Sequence, residues 1–396
     1  MKIGLYGGTF NPVHLGHIGA ARFAVEYLRL DKLLLIPAGI PPHKQMDAGT
    51  PVPRCRLEMA ALAAEAVGPR AEALDIELRR EGKSYTLDTV EAVRKMYPGA
   101  SFYLLMGTDM FLTFHLWKDP EKIAKRCTLC AFGRSEKDTE ELFAVQRAYL
   151  REALGAEAVT IVLPHIVDVS STWLRERLAV GKGREYLDRA VYGYILREGL
   201  YGVKRDLGRL SLDELRDAAV SMLRRRRIPH VLGTEETAAR LARRWDADEE
   251  AARRAALLHD CTKKLDREQQ LALVRQYSIP LDAEEEKEEK LLHAITGAAV
   301  AEHVFGATPE MVSAIRWHTT GKAGMTTLEK IIYLADYIEP TRDFCDLTEL
   351  RTLAFSDLDG AMLLGLEMAV RDLGERGVAV HSNSVRARDY LKGKQP

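Results

Sequence analysis

Apolar and polar positions follow two different rhythms along this chain. Up to about residue 200, short apolar runs alternate with segments of helical spacing. KIGLYGG at 2–8 is an apolar run closing on glycines, and HLGHIGAARFAVEYLRL at 14–30 follows with helical periodicity. KLLLIPAG at 32–39 reads as a strand stopped at Pro37, RCRLEMAALAAEAV at 54–67 as a helix, AEALDIEL at 71–78 as a strand and TLDTVEAVRKMY at 86–97 as a helix. SFYLLMG at 101–107, CTLCAFG at 127–133 and VTIVLP at 159–164 are further strands, each followed by polar or helical sequence. This alternation predicts an α/β unit, a parallel sheet with helices on both faces. Ligands of such sheets bind beyond the carboxyl ends of the strands. Gly7–Gly8, residues 37–44, Gly107 to Asp109 and Arg134 all fall there.

Beyond residue 200 the rhythm changes. YGVKRDLGRL at 201–210 mixes two glycines with charge and reads as a linker. Ser211 then opens SLDELRDAAVSMLRRR with Glu214 three residues on, a capping-box pattern. Helical periodicity dominates from there, with no convincing strand. The chain thus divides into an α/β domain at 1–202, a linker at 203–210 and an all-α domain at 211–396. Two charged stretches, Arg224–Arg227 and AEEEKEEK at 283–290, read as a solvated helix end and a solvated surface.

Composition narrows the classes. At 396 residues the chain exceeds what one hydrophobic core usually supports. A net charge of −1 gives no basic field for nucleic acid. No apolar run approaches the ~20 residues of a membrane span, and MKIGLYGG turns to glycine too soon for a signal peptide. The five cysteines show no disulfide framework, which points to a reducing, cytoplasmic compartment. Cys127 and Cys130 form a CxxC on a strand, where positions i and i+3 face opposite ways; the expected role is structural. Composition leaves a homo-oligomer open.

The first chemical constellation is GGTFNPVHLGH at 7–17. Gly7, Gly8, Thr9 and Phe10 follow a strand directly, and glycines let main-chain amides approach a ligand. His14 and His17 then open a helix, where amides and dipole favour anions. Two imidazoles three apart share a helix face and can donate to the oxygens of one phosphate. A metal pair would need a further ligand nearby, and the surrounding glycine-rich sequence favours phosphate.

TFNPVHLGH resembles the T/HxGH superfamily of nucleotidyltransferases, and GGTFNPVHLGH resembles bacterial nicotinate-mononucleotide adenylyltransferases, over about the first 200 residues. PPHK at 41–44 is similar to a second phosphate-contacting loop, ending in Lys44. SYTLDT at 84–89 resembles a stretch in which Tyr85 and Thr86 would border the nicotinate. GTDMFLTFHLWK at 107–118 resembles one in which Gly107 and Asp109 would serve the nucleotide and Trp117 would stack on the pyridine ring. FGR places Arg134 after a strand. DVSSTWLR at 168–175 resembles the second signature. There Ser171 and Thr172 can cap a helix while facing an anion, and Arg175 sits on the same face as a fork for phosphate.

The resemblance implies a Rossmann-like fold and an in-line displacement. The phosphate of nicotinate mononucleotide attacks the α-phosphorus of ATP, and pyrophosphate leaves. His14, His17, Lys44 and Arg175 would position and stabilise, with Mg²⁺ on the ATP phosphates. Phosphopantetheine adenylyltransferases share the scaffold, but SYTLDT and Trp117 fit nicotinate better. The choice of nicotinate over nicotinamide nucleotide rests on the resemblance, in which main-chain amides near Thr86 and Trp117 read the carboxylate.

The second constellation is His230, His259–Asp260, His293, His318 and Asp336, on separate helical segments that can converge inside a bundle. Several lie in apolar surroundings, where an Asp must be paired or on a metal. The ordered set, with LLHDCTKK, LLHAITGAAVAE, RWHTTG and KIIYLADYIEPTR, resembles HD-domain phosphohydrolases, in particular the bacterial symmetrical diadenosine-tetraphosphate hydrolases. That resemblance implies one metal on His230, His259, Asp260 and Asp336. Asp260 would bridge to a second metal on His293 and His318, and Lys263 and Arg342 would face phosphates. Two such metals clamp a phosphoryl group and activate water; diadenosine tetraphosphate would give two ADP. The resemblance favours iron, while mixed N/O ligands also suit manganese or zinc. Pro229 departs from the expected charged residue but is tolerable at a helix start. His303 and His381 fall outside the pattern and read as structural or surface residues. The alternatives are a catalytically silent, nucleotide-sensing HD half, and RNA work by the first half, which the lack of basic excess disfavours.

Overall fold

The computed structural model describes residues 1–41, 49–133, 138–163, 167–203, 206–343 and 346–393. The chain divides into two compact units, Met1–Arg205 and Asp206–Pro396. In the first, β1 (Lys2–Gly8), β2 (Lys32–Pro37), β3 (Ala71–Ala73), β4 (Ser101–Gly107), β5 (Cys127–Phe132) and β6 (Ala158–Ile161) form one sheet in the order β3-β2-β1-β4-β5-β6. Every pairing is parallel. Helices α1 (Leu15–Tyr27), α2 (Pro53–Val67), α3 (Thr86–Met96), α4 (Thr108–Leu112), α5 (Pro120–Ala124), α6 (Glu140–Leu154), α7 (Ser171–Leu178) and α8 (Arg189–Glu198) connect or flank the strands.

A parallel strand covered on both faces needs an unbroken apolar run. KLLLIP supplies one, and Leu33, Leu34, Leu35 and Ile36 are all buried. One face of the sheet, with Ile3, Leu5, Leu34, Leu104 and Leu129, packs on Val90 and Val93 of α3 and Phe143 and Leu150 of α6. The chain runs outward from β1 through α1 to β2 and β3, then crosses to the other side of β1 for β4. The strand order therefore reverses between β1 and β4, and a crevice opens beyond their carboxyl ends.

The strand expected at 71–78 is shorter. Leu74 still donates its N–H to Leu35 O at 2.9 Å, but at Asp75 the edge strand turns away. The Asp75 carbonyl accepts from Leu78 N at 2.9 Å and its carboxylate pairs with Arg79 at 2.6 Å, so local bonds replace the ladder. Cys127 and Cys130 are buried in β5, and burial pushes both thiols up to about 12. Neither is poised as a ligand.

The second unit is helical: α9 (Leu212–Ser221), α10 (Ile228–Arg244), α11 (Glu249–Leu258), α12 (Arg267–Gln276), α13 (Glu289–Phe305), α14 (Pro309–Arg316), α15 (Thr327–Ile338), α16 (Thr348–Leu353), α17 (Leu358–Glu375) and α18 (Ser382–Lys392). The Ser211–Glu214 capping box forms, with Ser211 N donating to Glu214 Oε2 at 2.9 Å. Residues 206–210 are integral to this unit, since Leu210 is buried and its carbonyl accepts from Arg254 at 2.7 Å.

Two charged stretches depart from expectation. Glu285, inside the stretch expected to be solvated, is buried and pairs with Arg316. Arg227 turns inward, as described below. Among the described residues no helix is long and apolar enough to cross a membrane.

Candidate active site and metal centre

In the α/β unit a cavity of about 930 Å³ lies where the strand order reverses. Gly7, Gly8, Thr9, His14, His17, Tyr85, Thr86, Gly107, Asp109, Trp117, Ser171 and Thr172 line it. His14 is the N-cap of α1 in extended conformation, and its N–H donates to His17 Nδ1 at 3.3 Å. The two rings lie 3.8 Å apart between centroids. An Nδ1 that accepts leaves the ring proton on Nε2, so the His17 ring has an N–H to donate.

Phe10 departs from the expected role. It does not line the cavity: its ring is buried, edge-on to Tyr6 at 5.7 Å and to His17 at 5.4 Å, and its φ of 45° lies in the left-handed region. The ring explains Gly8, where an added Cβ would lie 3.1 Å from it.

The second signature mainly braces the first. Ser170, not Ser171 or Thr172, caps α7, accepting from Trp173 N at 3.2 Å. The Ser171 hydroxyl donates to Pro12 O at 3.0 Å, and Arg175 donates to Asn11 O at 2.8 Å and to Thr172 Oγ1 at 3.3 Å. Arg175 is not among the described residues lining the cavity. Serine and arginine bond the Asn11–Pro12 turn because that turn carries main-chain carbonyls without a ladder. Lys44 and Arg134 lie outside the described residues.

Sequence reasoning missed Arg56, Tyr201 and Lys118. Arg56 is buried and donates to Thr9 O at 3.1 Å and Ala38 O at 2.6 Å, tying together the loops after β1 and β2. Burial pulls its pKa down. Its spacing to Met59, Ala60 and Ala63 on the buried stripe of α2 was the available signal. Tyr201 OH donates to Asn11 Oδ1 at 2.9 Å. Lys118 Nζ stands 3.9 Å from the Tyr85 ring centroid, beside Trp117, which leans on Phe114 at 5.2 Å.

In the helical unit, His230 (α10), His259 and Asp260 (after α11), His293 (α13), His318 (after α14) and Asp336 (α15) converge. Each imidazole is oriented through Nδ1. His230 Nδ1 lies 2.9 Å from Glu339 Oε1, His259 Nδ1 2.5 Å from Ala256 O, His293 Nδ1 2.6 Å from Lys290 O and His318 Nδ1 2.6 Å from Ile315 O. Carbonyl and carboxylate partners hold the proton on Nδ1, leaving an Nε2 lone pair on each ring. This is the reverse of the tautomer at His17.

Asp260 joins two groups. Its Oδ1 is 3.3 Å from His293 Nε2 and 3.9 Å from His318 Nε2, while its Oδ2 is 3.6 Å from His259 Nε2 and 3.9 Å from His230 Nε2. Asp336 Oδ1 lies 2.9 Å from His230 Nε2 and 3.7 Å from His259 Nε2. His259 Nε2 is buried and makes no hydrogen bond among the described residues. The ligand atoms of His230, His259 and Asp260, of His259, His318 and Asp336, and of Asp260, His293 and His318 lie within 4.8 Å of one another in each group, and this donor set fits divalent metal. Burial pulls the pKa of His259 down and that of His318 well down, favouring the neutral, ligating form. Burial works against the ionised Asp260 and Asp336, yet the cations beside them, Lys263 at Asp260 and Arg342 at Asp336, help hold both well below the usual carboxylate range.

Three cations rim these carboxylates. Lys263 Nζ is 3.1 Å from Asp260 Oδ1, and Arg342 is 2.7 Å from Asp336 Oδ1. Arg227 contacts Asp260 Oδ2. The expected solvated helix end thus fails at Arg227, because the turn Arg225–Arg227 leads directly into α10 and brings position 227 one turn from His230. Glu339 was also missed, although a carboxylate in the apolar run YLADYIEP was a signal. Gly233 makes room for it: an added Cβ would lie 2.6 Å from Glu339 Oε2. His303 is exposed and stacks on Tyr277 at 4.6 Å, and His381 caps α18.

Residues 5–177 match the cytidylyltransferase-like family and residues 227–341 the HD domain family. A probable nicotinate-nucleotide adenylyltransferase of Thermus thermophilus is 37% identical over 202 residues, covering 51% of this chain and 100% of that protein. One from Syntrophotalea carbinolica is 33% identical over 214 residues, covering 51% and 97%. Among solved structures, a predicted HD superfamily hydrolase involved in NAD metabolism from Clostridium acetobutylicum is 38% identical, with a TM-score of 0.46, covering 48% of this chain and 100% of that one.

Proposed function

The chain belongs to the nicotinate-nucleotide adenylyltransferase family through its first half and carries an HD domain in its second, and we propose that it transfers an adenylyl group from ATP to nicotinate mononucleotide and hydrolyses diadenosine tetraphosphate. In the first reaction a phosphate oxygen of nicotinate mononucleotide forms a bond to the α-phosphorus of ATP. The bond to the β-phosphate oxygen breaks, giving deamido-NAD and pyrophosphate. The nucleophile is already an anion, so no base is required, and positioning and charge stabilisation carry the rate. The observation that carries this reading is the paired His14 and His17 on a cavity floored by Gly7 to Thr9. The His17 Nε2–H donates to a transferring phosphate, amides at the starts of α1 and α7 supply further donors, and Mg²⁺ rides on ATP.

The pyridine would lie against Trp117 near Tyr85 and Thr86. The Lys118 ammonium over Tyr85 makes that corner cationic, which favours an anionic nicotinate over a neutral nicotinamide.

In the helical unit, His230, His259, Asp260 and Asp336 would hold one metal and Asp260, His293 and His318 another, with iron the favoured ion. Bound there, the pair would supply Lewis acidity to the phosphoryl group and an activated water. The protein's own share is to fix four imidazoles through Nδ1 and to present Lys263 and Arg342 to phosphates. Convergence of all six ligands favours a working site over a silent sensor.

Product analysis on the full chain tests both readings. With Mg·ATP, we expect deamido-NAD from nicotinate mononucleotide far faster than NAD from nicotinamide mononucleotide. His17→Ala should lower the rate roughly 10²–10³-fold, the cost of one oxyanion donor. Equal use of both nucleotides would refute the nicotinate assignment. Diadenosine tetraphosphate should yield ADP alone, and Asp260→Asn should abolish this; ATP plus AMP as products would refute the symmetrical cut.

A further inference from the structure

Tyr201 lies in the last turn of the α/β unit, Leu200–Gly202, and the unit ends at Arg205. Its φ of 56° and ψ of 30° are left-handed, a conformation that a residue with a Cβ seldom adopts and that persists only where its surroundings hold it. Its side chain is tied to the start of the same unit. The Tyr201 hydroxyl donates to Asn11 Oδ1 at 2.9 Å, across 190 positions of the chain, and rests on Met59 Sδ of α2 at 3.8 Å. Burial pushes the hydroxyl pKa up, so it stays a protonated donor at neutral pH.

Asn11 is buried, and three segments meet on it. Its Oδ1 takes the Tyr201 hydroxyl. Its Nδ2 donates to Thr50 Oγ1 at 3.1 Å, on the approach to α2, and its carbonyl accepts from Arg175 of α7 at 2.8 Å. An amide bonded through both its oxygen and its nitrogen has one orientation. Removing the hydroxyl takes the donor from a buried oxygen and frees the amide to turn, which loosens Thr50 as well. Asn11 stands between the Gly7–Thr9 segment and His14, the groups that would meet the phosphates of ATP. The pyridine corner, at Tyr85, Thr86 and Trp117, is built on other elements. A displacement of the turn around Asn11 therefore falls on one substrate and spares the other.

We propose that Tyr201 is a positioning residue for ATP, acting through the Asn11 amide on the turn that precedes His14. The inference rests on the adenylyltransferase reading of the first half and makes the last turn of that unit part of its nucleotide site.

The test uses the full chain and α,β-methylene-ATP, which is not cleaved at the bond that would break. Tyr201→Phe keeps the ring and removes the donor. It should weaken binding of the analogue by roughly 3–10-fold, the worth of one hydrogen bond. KM for ATP should rise by the same factor, while KM for nicotinate mononucleotide stays unchanged. Asn11→Ala should cost at least as much, and Tyr201→Phe added to it should cost nothing further, because the two share one interaction. A lower melting temperature with both KM values unchanged would overturn the proposal and leave Tyr201 in the fold alone. So would an equal rise in both KM values, or additive losses in the double variant. If Asn11→Ala does not fold, the split between the two KM values in Tyr201→Phe decides. Failure of the adenylyltransferase reading shows separately, as a chain that binds the analogue but forms no dinucleotide; the analogue titration of Tyr201→Phe then still decides the inference. A chain that does not bind the analogue would overturn both.

Discussion

Glu339 Oε1 lies 2.9 Å from His230 Nδ1, and the Glu339 side chain is fully buried. The same carboxylate accepts from Thr341 N at 2.7 Å and from the Thr341 hydroxyl at 2.6 Å, so its own position is fixed by the turn after α15. A carboxylate behind a ligating imidazole sets its tautomer and raises its basicity. Glu339→Gln should therefore lower the affinity of the His230 position for metal by about 10–100-fold while leaving the α-helical circular dichroism unchanged. Metal content after equilibrium dialysis checks this; full retention would mean that Glu339 only fills space.

The six proposed ligands were legible in the sequence as an ordered His/Asp set on separate helical segments, several of them in apolar stretches where a charge must have a partner. Glu339 satisfies the same criterion, but nothing in its spacing distinguishes a group that orients a ligand from one that is a ligand. Arg227 was illegible for another reason: a run of four arginines reads as solvated, and only the approach of α10 to α11 turns one of them inward. In the α/β unit, the parallel sheet and the glycine turn followed from periodicity and residue type. The use of Arg175 and Ser171 as braces for residues 11–12 did not, because it depends on a contact 159 to 164 positions apart in the chain.

Asp260 presents one oxygen to His293 and His318 and the other to His230 and His259, which gives substitutions in the proposed two-metal site distinct stoichiometries. Asp260→Asn should lose both metals. His318→Ala should lose the one shared with His293, and Asp336→Asn the one shared with His230 and His259. Metal per chain, measured on protein loaded with excess Mn²⁺ and then gel-filtered, checks the pattern. Equal losses in all three variants would show that the cluster assembles as one cooperative unit.

Arg56 tests whether the loops after β1 and β2 are positioned from beneath. Arg56→Met keeps much of the aliphatic packing and removes the donors to Thr9 O and Ala38 O. Leaving these part-buried carbonyls without partners costs up to roughly 1–3 kcal/mol each, partly offset by no longer burying a charge. The expected net loss is roughly 2–3 kcal/mol in urea unfolding, with a raised KM for ATP and a smaller change in kcat. A stability loss with unchanged KM would place Arg56 in the fold alone.

Cys127 and Cys130 give a prediction in alkali. Burial pushes both thiols up to about 12, from an ordinary value near 9. The unfolded thiols therefore lose their protons first as pH rises, and each proton lost from the unfolded chain favours unfolding. The contribution of the neutral thiols is fully present below pH 9 and is lost progressively between about 9 and 12. The melting temperature of the α/β unit should fall across that window, and Cys130→Ala should flatten the fall at the expense of a small cavity. At pH 8, native protein should leave both thiols unmodified by iodoacetamide, whereas half-buried Cys55 should react. Labelling of Cys127 or Cys130 on the native timescale would mean that β5 opens, and would return the CxxC to the list of reactive groups.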